Sequence, residues 1–156
     1  MKKRHGYNFE VPATLTPSLA DPIPLTAMGR FNHEAICVDS NTGIVYQTED
    51  RNDSCIYRFI PNEKGNLKVG GKLQALAIKV KKKKDTRNWE INEMPINKKL
   101  RVEWVDIEDV NPTKDSIRYQ AQEKGAAIFA RGQGMWFGEK EVYFACTSGG
   151  LKKWGQ

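Results

Sequence analysis

The sequence is poor in cysteine, and its cysteines form no recognisable pattern. Three are present, an odd number, and no two are spaced as C-x-x-C. A disulfide framework or a cysteine zinc site needs paired or clustered cysteines, so neither is expected. The alternative is that the thiols are free and buried as small hydrophobic groups. This interpretation applies to Cys37, Cys55 and Cys146.

Long apolar runs are also missing. No stretch approaches the ~20 residues that a membrane-spanning helix needs, which excludes an integral membrane protein of that kind. The basic start of the chain is followed by polar residues and prolines instead of the apolar core of a secretory signal. The chain as given is therefore expected to be cytoplasmic, unless a leader lies outside it.

The charge is basic and locally concentrated. Of 156 residues, 25 are Lys or Arg and 19 are Asp or Glu, a formal net charge of +6. Five lysines crowd into positions 79–84, where like charges predict a solvated loop or a protruding strand end. A patch for a phosphate backbone is the alternative. Nucleic-acid binding also calls for interleaved aromatics, and the nearest one, Trp89, lies beyond Asp85, so we do not expect it.

Short β-rich runs separated by turn residues dominate the pattern. Three strands are predicted at 34–39, 44–48 and 55–60, joined as an antiparallel meander by a turn at 40–43 and a polar stretch at 49–54. One short helix is predicted at 116–124, with Asp115 or Ser116 as its cap and Gly125 as its stop. The chain is therefore expected to be all-β, as a sandwich, a barrel or a propeller. Further short strand segments are expected at 67–69 with 73–78, 102–107, 128–130, 135–137 and 142–147.

Charged residues fall at the predicted strand ends. If the first two strands pair through the turn at 40–43, Glu34 and Glu49 emerge at the same end of the sheet, with Asp50 beside them. Carboxylates that converge there have suitable oxygen ligands for calcium. Arg131 emerges at another strand end, beside glycines that let a ligand approach the backbone, and an arginine fork suits a phosphate group. The alternative is that the acidic residues are solvated turn formers, and that His33 is a packing residue.

The sequence resembles the PhoX-type alkaline phosphatases over roughly residues 26–156. Residues 1–25 are expected to be an extended lead-in segment, because this region contains four prolines and little periodicity. Residues 26–156 resemble the C-terminal part of the family pattern, in order and with plausible spacing. The matching blocks are 29–34, 39–46, 48–51, 57–59, 70–73, 104–105, 125–126, 129–131, 143–144 and 147–150.

The resemblance implies a β-propeller whose site holds calcium and ferric iron and hydrolyses phosphate esters. Carried over by position, Glu34 in the Asn-His-Glu motif is implied to be a metal ligand, and Arg131 to hold the phosphate. Glu49 and Asp50 match a further family motif and are candidate metal ligands. The implied ligand is a phosphomonoester or phosphate, and the family is periplasmic or secreted.

Two departures from the family pattern bear on activity. The family reads Arg-x-Glu-Gly where this chain reads Arg131-Gly132-Gln133-Gly134, so Gln133 offers a neutral amide oxygen in place of a carboxylate. Iron favours harder anionic donors, which makes ferric iron doubtful here. The chain length also allows only three or four blades, whereas six blades need about 240–270 residues.

Two functional hypotheses follow. The first is a fragment or remnant of a calcium- and iron-dependent phosphomonoesterase, weakly active or inactive alone. The second is a non-enzymatic propeller-derived module for binding or assembly, which completes its ring by pairing with another chain.

Overall fold

The computed structural model describes residues 4–94 and 96–156. The chain forms a five-stranded antiparallel sheet, one short helix and a separate two-stranded sheet. The strands of the larger sheet lie in chain order, each paired with the next. They are β1 (His33–Val38), β2 (Val45–Glu49), β3 (Ile56–Pro61), β4 (Gly71–Ile78) and β5 (Val102–Asp106).

The predicted turn between the first two strands is present and is closed by its own side chains. The carboxylate of Asp39 accepts hydrogen bonds from the Asn41 amide (2.9 Å) and the Thr42 hydroxyl (2.7 Å). Gly43 has a φ of 78°, a conformation that glycine adopts at little cost. The turn sets the register in which Val38 faces Val45. The turn therefore sets the pairing of β1 and β2 from Val38 to Ile36, and a bulge shifts the register before His33 pairs with Glu49.

The larger sheet is covered on both faces near β3. On one face, Tyr57 and Phe59 pack with Ile117 and Ala121 of the helix α1 (Ile117–Glu123). On the other face, Ile56 packs with residues of the smaller sheet and of the segment that leads to it. The larger sheet thus lies between a helical layer and a second sheet.

The smaller sheet is an antiparallel hairpin of β6 (Gly132–Phe137) and β7 (Val142–Cys146). Its inner face includes Met135, Phe144 and Cys146, which join the second hydrophobic cluster. The first residues of β6 lie against β1 and β2, as described below. The hairpin therefore brings the start of β6 to the end of the first strand pair.

Several sequence predictions are corrected in detail. Residues Leu67–Val69 form a 3₁₀ turn instead of part of a strand, because Gly70 follows at a φ of 82° and breaks the extended path. Residues 128–130 make single bridges to neighbouring segments and no strand. The described residues form two sheets, and residues 79–94 and 96–101 connect β4 to β5 without a strand of their own. The helix predicted at 116–124 is confirmed.

The lysine run follows the end of β4 as a loop, in agreement with the sequence prediction for its first four lysines. Lys84 is the exception, with only 8% of its surface exposed. Its ammonium group pairs with Glu93 at 3.0 Å, and Lys81 pairs with the same carboxylate at 3.2 Å. Glu93 therefore pairs with two lysines near the end of the run, including the buried Lys84.

The three cysteines are free and buried, as predicted. Within residues 4–94 and 96–156, no helix combines the length and the apolar character that crossing a bilayer requires.

Candidate functional site

The predicted convergence of strands β1 and β2 is present, but their acidic residues face different surroundings. His33 lies opposite Glu49 in the ladder, which places Glu34 next to that pair at the same end of the sheet. Glu34 is exposed and makes no side-chain hydrogen bond or ion pair with another described residue. Glu49 is fully buried. The two carboxylates are therefore neighbours along the sheet end without sharing one cavity.

Glu49 is held in the core by three neighbours. Its Oε2 accepts hydrogen bonds from the Tyr57 hydroxyl (2.9 Å) and the Cys55 backbone amide (3.2 Å). Its Oε1 lies 3.5 Å from Nη1 of Arg118 and has no hydrogen-bond partner. Burial raises the pKa of Glu49 to about 7, although these neighbours each lower it.

Arg118 gathers three carboxylates around one guanidinium. Besides Glu49, its Nε lies 2.9 Å from Asp53 and its Nη1 lies 3.0 Å from Asp115. Only 8% of the Arg118 side chain is exposed. Burial alone would lower the pKa of Arg118, but the surrounding carboxylates raise it overall. Arg118 therefore supplies the positive charge for Glu49.

Arg131 and Asp50 form the exposed part of the site. The Arg131 Nε donates to Asp50 Oδ1 at 2.7 Å, and Nη2 donates to Oδ2 at 3.0 Å, which is a two-pronged pairing. Hydrogen bonding to Arg131 holds the pKa of Asp50 below its ordinary value. Arg131 has a φ of 52°, which is uncommon for a residue with a side chain. Its backbone is fixed there by Arg51, whose carbonyl accepts from the Arg131 amide at 2.9 Å, and by Thr147.

The residues after Arg131 fit closely against β2. A Cβ atom on Gly132 would lie 3.1 Å from the Thr48 Cβ and 3.3 Å from the Glu49 carbonyl oxygen. The Thr48 hydroxyl donates to the carbonyl of Gln133 at 2.8 Å. The Gln133 side chain also contributes to the lowered pKa of Asp50. The amide that stands where the resemblance implies a glutamate therefore lies near the Asp50 carboxylate.

His33 is a packing residue, as the alternative interpretation predicted. Its ring lies 3.7 Å from the ring of Phe31, centre to centre, and its Nε2 lies 3.0 Å from the Gly29 carbonyl. Burial lowers the pKa of His33 to about 4, although the bond to Gly29 raises it. The imidazole is therefore neutral in the folded protein near pH 7.

The structure brings Arg131, Asp50 and Gln133 together and leaves Glu49 in the core. Among residues 4–94 and 96–156, no three His, Cys, Asp or Glu side chains are grouped so that they could hold a metal ion. Glu49 and Asp50 are each paired with an arginine. The described residues therefore do not by themselves fit a calcium and iron centre, and the assignment of Glu34, Glu49, Asp50 and Gln133 as ligands stays a prediction.

Sequence reasoning missed Arg118. The residue belongs to no motif, and its three partners come from the end of β2, the loop after it and the segment just before α1. The one available signal is its position three residues before Ala121 on the inner face of a predicted helix, where an arginine needs a buried partner.

Comparisons with known proteins agree with this architecture. Residues 1–154 match the family model of alkaline phosphatase PhoX. No curated protein matches the chain. A solved structure described as Pseudomonas fluorescens PhoX in complex with vanadate, a transition state analogue, is similar with a TM-score of 0.56 and 20% sequence identity. The match covers 83% of this chain and 26% of that one, so this chain spans about a quarter of that protein's length.

The structural similarity and the open antiparallel sheets confirm the predicted fold class, an all-β partial propeller with one short helix. At 20% identity, the structural match by itself shows the fold alone. The family model, in contrast, spans nearly all of the sequence. The chain therefore belongs to the PhoX alkaline phosphatase family.

Proposed function

We propose that this chain carries the phosphate-binding corner of a PhoX-type phosphomonoesterase, and that it is weakly active or inactive alone. Arg131 is the residue that holds the phosphate, and Glu34 is a candidate metal ligand beside it. The observation that carries the proposal is the two-pronged grip of Arg131 on Asp50. A guanidinium that holds a carboxylate through two parallel N–H groups has the geometry that also binds a phosphate.

In the Arg131–Asp50 pair, a ligand can replace the Asp50 carboxylate as the partner of the Arg131 guanidinium. The Arg131 side chain is 46% exposed, and an exposed ion pair contributes only about 0–1 kcal/mol. A phosphate dianion offers more negative charge to the same two donors. The unusual backbone conformation of Arg131 is also of the kind that recurs at binding sites. These features support a role for Arg131 beyond fixing the hairpin.

Low activity is proposed because the carboxylates present do not complete a metal centre. Glu34 is the one candidate ligand among the three acidic ones that has no arginine partner among the described residues. Gln133 supplies an amide where the resemblance implies a carboxylate, and an amide neutralises no cation charge. Calcium and iron are therefore family-level expectations, and no step of a reaction is assigned to them here.

A second candidate function, assembly with another chain, is favoured by the outer face of the hairpin. Trp136 and Tyr143 are cross-strand neighbours in β6 and β7, and they are 73% and 58% exposed. Two-stranded sheets are marginally stable without further strands or packing. A partner strand at the β7 edge would extend the sheet and cover these rings. Light scattering tests this alternative, because a strictly monomeric and cooperatively folded chain would contradict it.

The phosphate role of Arg131 is tested by titrating inorganic phosphate while following the side-chain Nε–H signal of Arg131 by NMR. Asp50→Asn is expected to strengthen phosphate binding several-fold, because the competing carboxylate is removed. Asp85→Asn is the matched control, since Asp85 holds Arg87 in a similar two-pronged pair. An Arg131 signal that does not respond to phosphate would refute this role.

The activity proposal is tested with a chromogenic phosphomonoester, with calcium and ferric iron added. Negligible turnover and no stoichiometric iron by plasma spectrometry are expected. Robust turnover with about one iron per chain, abolished by Glu34→Gln, would show that the chain is an active enzyme.

A further inference from the structure

A basic surface lies where the chain leaves β4 and enters β5. The Lys79 amide donates to the Arg101 carbonyl at 3.0 Å, so the residues that follow β4 lie beside those that precede β5. The Lys83 amide donates to the Gly125 carbonyl at 3.1 Å, which fixes the loop after β4. Six exposed basic residues form this surface, here called the basic end: Lys79, Lys82, Lys83, Lys98, Lys99 and Arg101.

The charge of the basic end is not neutralised by the described part of the chain. The carboxylate of Glu93 is already shared by two other lysines, and that of Asp85 is held by Arg87. Glu103, which follows in β5, forms no ion pair with any of the six among the described residues. Like charges gathered on one surface repel each other, and an anionic partner would relieve this repulsion.

Exposed aliphatic side chains lie among these cations. Val80, inside the lysine run, is 70% exposed, and Ile96, shortly before the second group of basic residues, is 89% exposed. Val102, the first residue of β5, is also exposed. Transfer of such side chains from water into an apolar phase is favourable. Cations beside exposed aliphatic groups can bind lipid headgroups while the aliphatic groups enter the membrane interface.

We propose that the basic end docks on the surface of an anionic lipid bilayer. The six cations lie at the headgroups, and Val80 and Ile96 enter the interface between the headgroups and the acyl chains. Each Lys or Arg near an anionic membrane adds to the attraction, which falls off within about a Debye length of the surface. The inference goes beyond the proposed function and does not depend on phosphatase activity.

Other occupants fit this surface less well. Single-stranded nucleic acid stacks its bases on aromatic side chains, and residues 79–83 and 96–102 include none. Five of the six cations are lysines, whereas two-pronged recognition of phosphates and bases favours arginine. A second copy of this chain, docked through the same surface, would bring the same positive charge. The flexible point charges of lysine suit the diffuse negative charge of a lipid surface.

The charge contribution is tested by sedimentation of the full chain with vesicles. Binding is expected to phosphatidylcholine mixed with an equal part of phosphatidylserine, and not to phosphatidylcholine alone. Lys82→Gln combined with Lys83→Gln is expected to weaken binding by about tenfold or more. Lys64→Gln combined with Lys68→Gln is the matched control, because it removes the same charge before β4, at the other end of that strand, and a change of less than about threefold is expected.

The aliphatic contribution is tested with the same vesicles. Ile96→Ser is expected to weaken binding by about threefold or more, because less apolar surface enters the interface. Leu15→Ser, at an exposed leucine of the N-terminal segment, is the control and is expected to leave binding unchanged. Raising the salt concentration from about 50 to about 500 mM is expected to release most of the bound protein.

Three results would overturn the inference. The chain could bind neutral and anionic vesicles equally, or the two lysine double variants could lose binding equally. A single-stranded oligonucleotide could also displace the chain from the vesicles at equal phosphate concentration, which would assign the surface to nucleic acid. If the variant at Lys82 and Lys83 does not fold, Lys98→Gln combined with Lys99→Gln replaces it, with the same expected loss.

Discussion

His33 and Glu49 stand opposite each other in the β1–β2 ladder, and folding suppresses the charge of both. Burial lowers the pKa of His33 from 6.5 to about 4 against the opposing bond to Gly29. Burial raises the pKa of Glu49 from 4.5 to about 7 against the opposing effects of Cys55, Arg118 and Tyr57. The two residues therefore make the stability of this end of the sheet depend on pH in opposite directions.

We predict that His33 and Glu49 have opposing effects on the pH dependence of unfolding. The pKa of His33 is lowered, so its contribution is present above pH 6.5 and is lost as the pH falls towards 4. The pKa of Glu49 is raised, so its contribution is present below pH 4.5 and is lost as the pH rises towards 7. Across pH 4.5–6.5 the two slopes oppose each other.

Urea unfolding at a series of pH values checks this prediction. Relative to the wild type, His33→Gln is expected to become more stable as the pH falls from 7 to 4.5, since the slope from Glu49 remains. Glu49→Gln is expected to lose stability over the same fall in pH, since the slope from His33 remains. Two variants with the same slope as the wild type would contradict the assignment.

Removal of the Arg118 guanidinium is predicted to be strongly destabilising. At about pH 8, above the Glu49 pKa of about 7, Arg118→Met leaves the ionised and buried Glu49 without its positive partner, and breaking a buried pair on one side costs about 3–5 kcal/mol. The double variant with Glu49→Gln is expected to recover part of this loss, because the uncompensated charge at the fully buried position is removed, while the partly exposed Asp53 still lacks its arginine. Urea unfolding of the single and double variants gives the interaction free energy between Arg118 and Glu49. Arg131→Met, at the exposed pair, is the control and is expected to cost no more than about 1 kcal/mol.

Local signals were sufficient to predict the meander and the helix. The turn at Asp39 and Gly43, the β-branched run before Glu49 and the glycine after the helix each act within a few residues of the chain. The conformation of Leu67–Val69 was mispredicted, because four residues between two glycines carry too little pattern to distinguish a strand from a turn.

The site was predictable only in part, because its pairings are long-range. The sequence placed Arg131 and Asp50 at the ends of two predicted strands, but no spacing indicates that residues 81 positions apart share two hydrogen bonds. Glu49 stands at the end of a strand before a turn, a position that favours an exposed side chain. It is buried instead because Arg118, which is distant in the sequence, reaches it from the helix.

A methyl group added at position 132 is predicted to displace Arg131 from its position beside Asp50. In Gly132→Ala the added Cβ meets Thr48 and the Glu49 backbone at 3.1 and 3.3 Å, so β6 must move away from β2. Lower stability is expected, by about 1–3 kcal/mol as in other overpacked sites, together with loss of the Arg131–Asp50 pairing. Gly134→Ala is the matched control, since no atom lies within 4 Å of its added Cβ. Equal effects of the two substitutions, by urea unfolding and the Arg131 Nε–H signal, would refute the close-packing explanation.

Restoring the family's glutamate at position 133 is predicted to weaken the pairing at Asp50 and to create affinity for a divalent cation. Gln133 now helps to keep the pKa of Asp50 low. In Gln133→Glu a second carboxylate replaces the neutral amide, so the pKa of Asp50 rises and the two carboxylates gain from a shared cation. Calcium binding in the range of about 10⁻⁴–10⁻³ M is expected by calorimetry, with the Asp50 carboxyl signal titrating at higher pH.

The chain offers a matched control for that experiment. Gln74 lies between an arginine and an aspartate, accepting from Arg58 at 2.7 Å and donating to Asp106 at 2.6 Å. Gln74→Glu creates a similar local pair of carboxylates between β4 and the edge strand β5 of the larger sheet, away from Glu34. If only Gln133→Glu gains calcium affinity, the surroundings of Arg131 contribute to the cation site. If both variants bind calcium equally, a carboxylate pair suffices, and position 133 has no special relation to a metal.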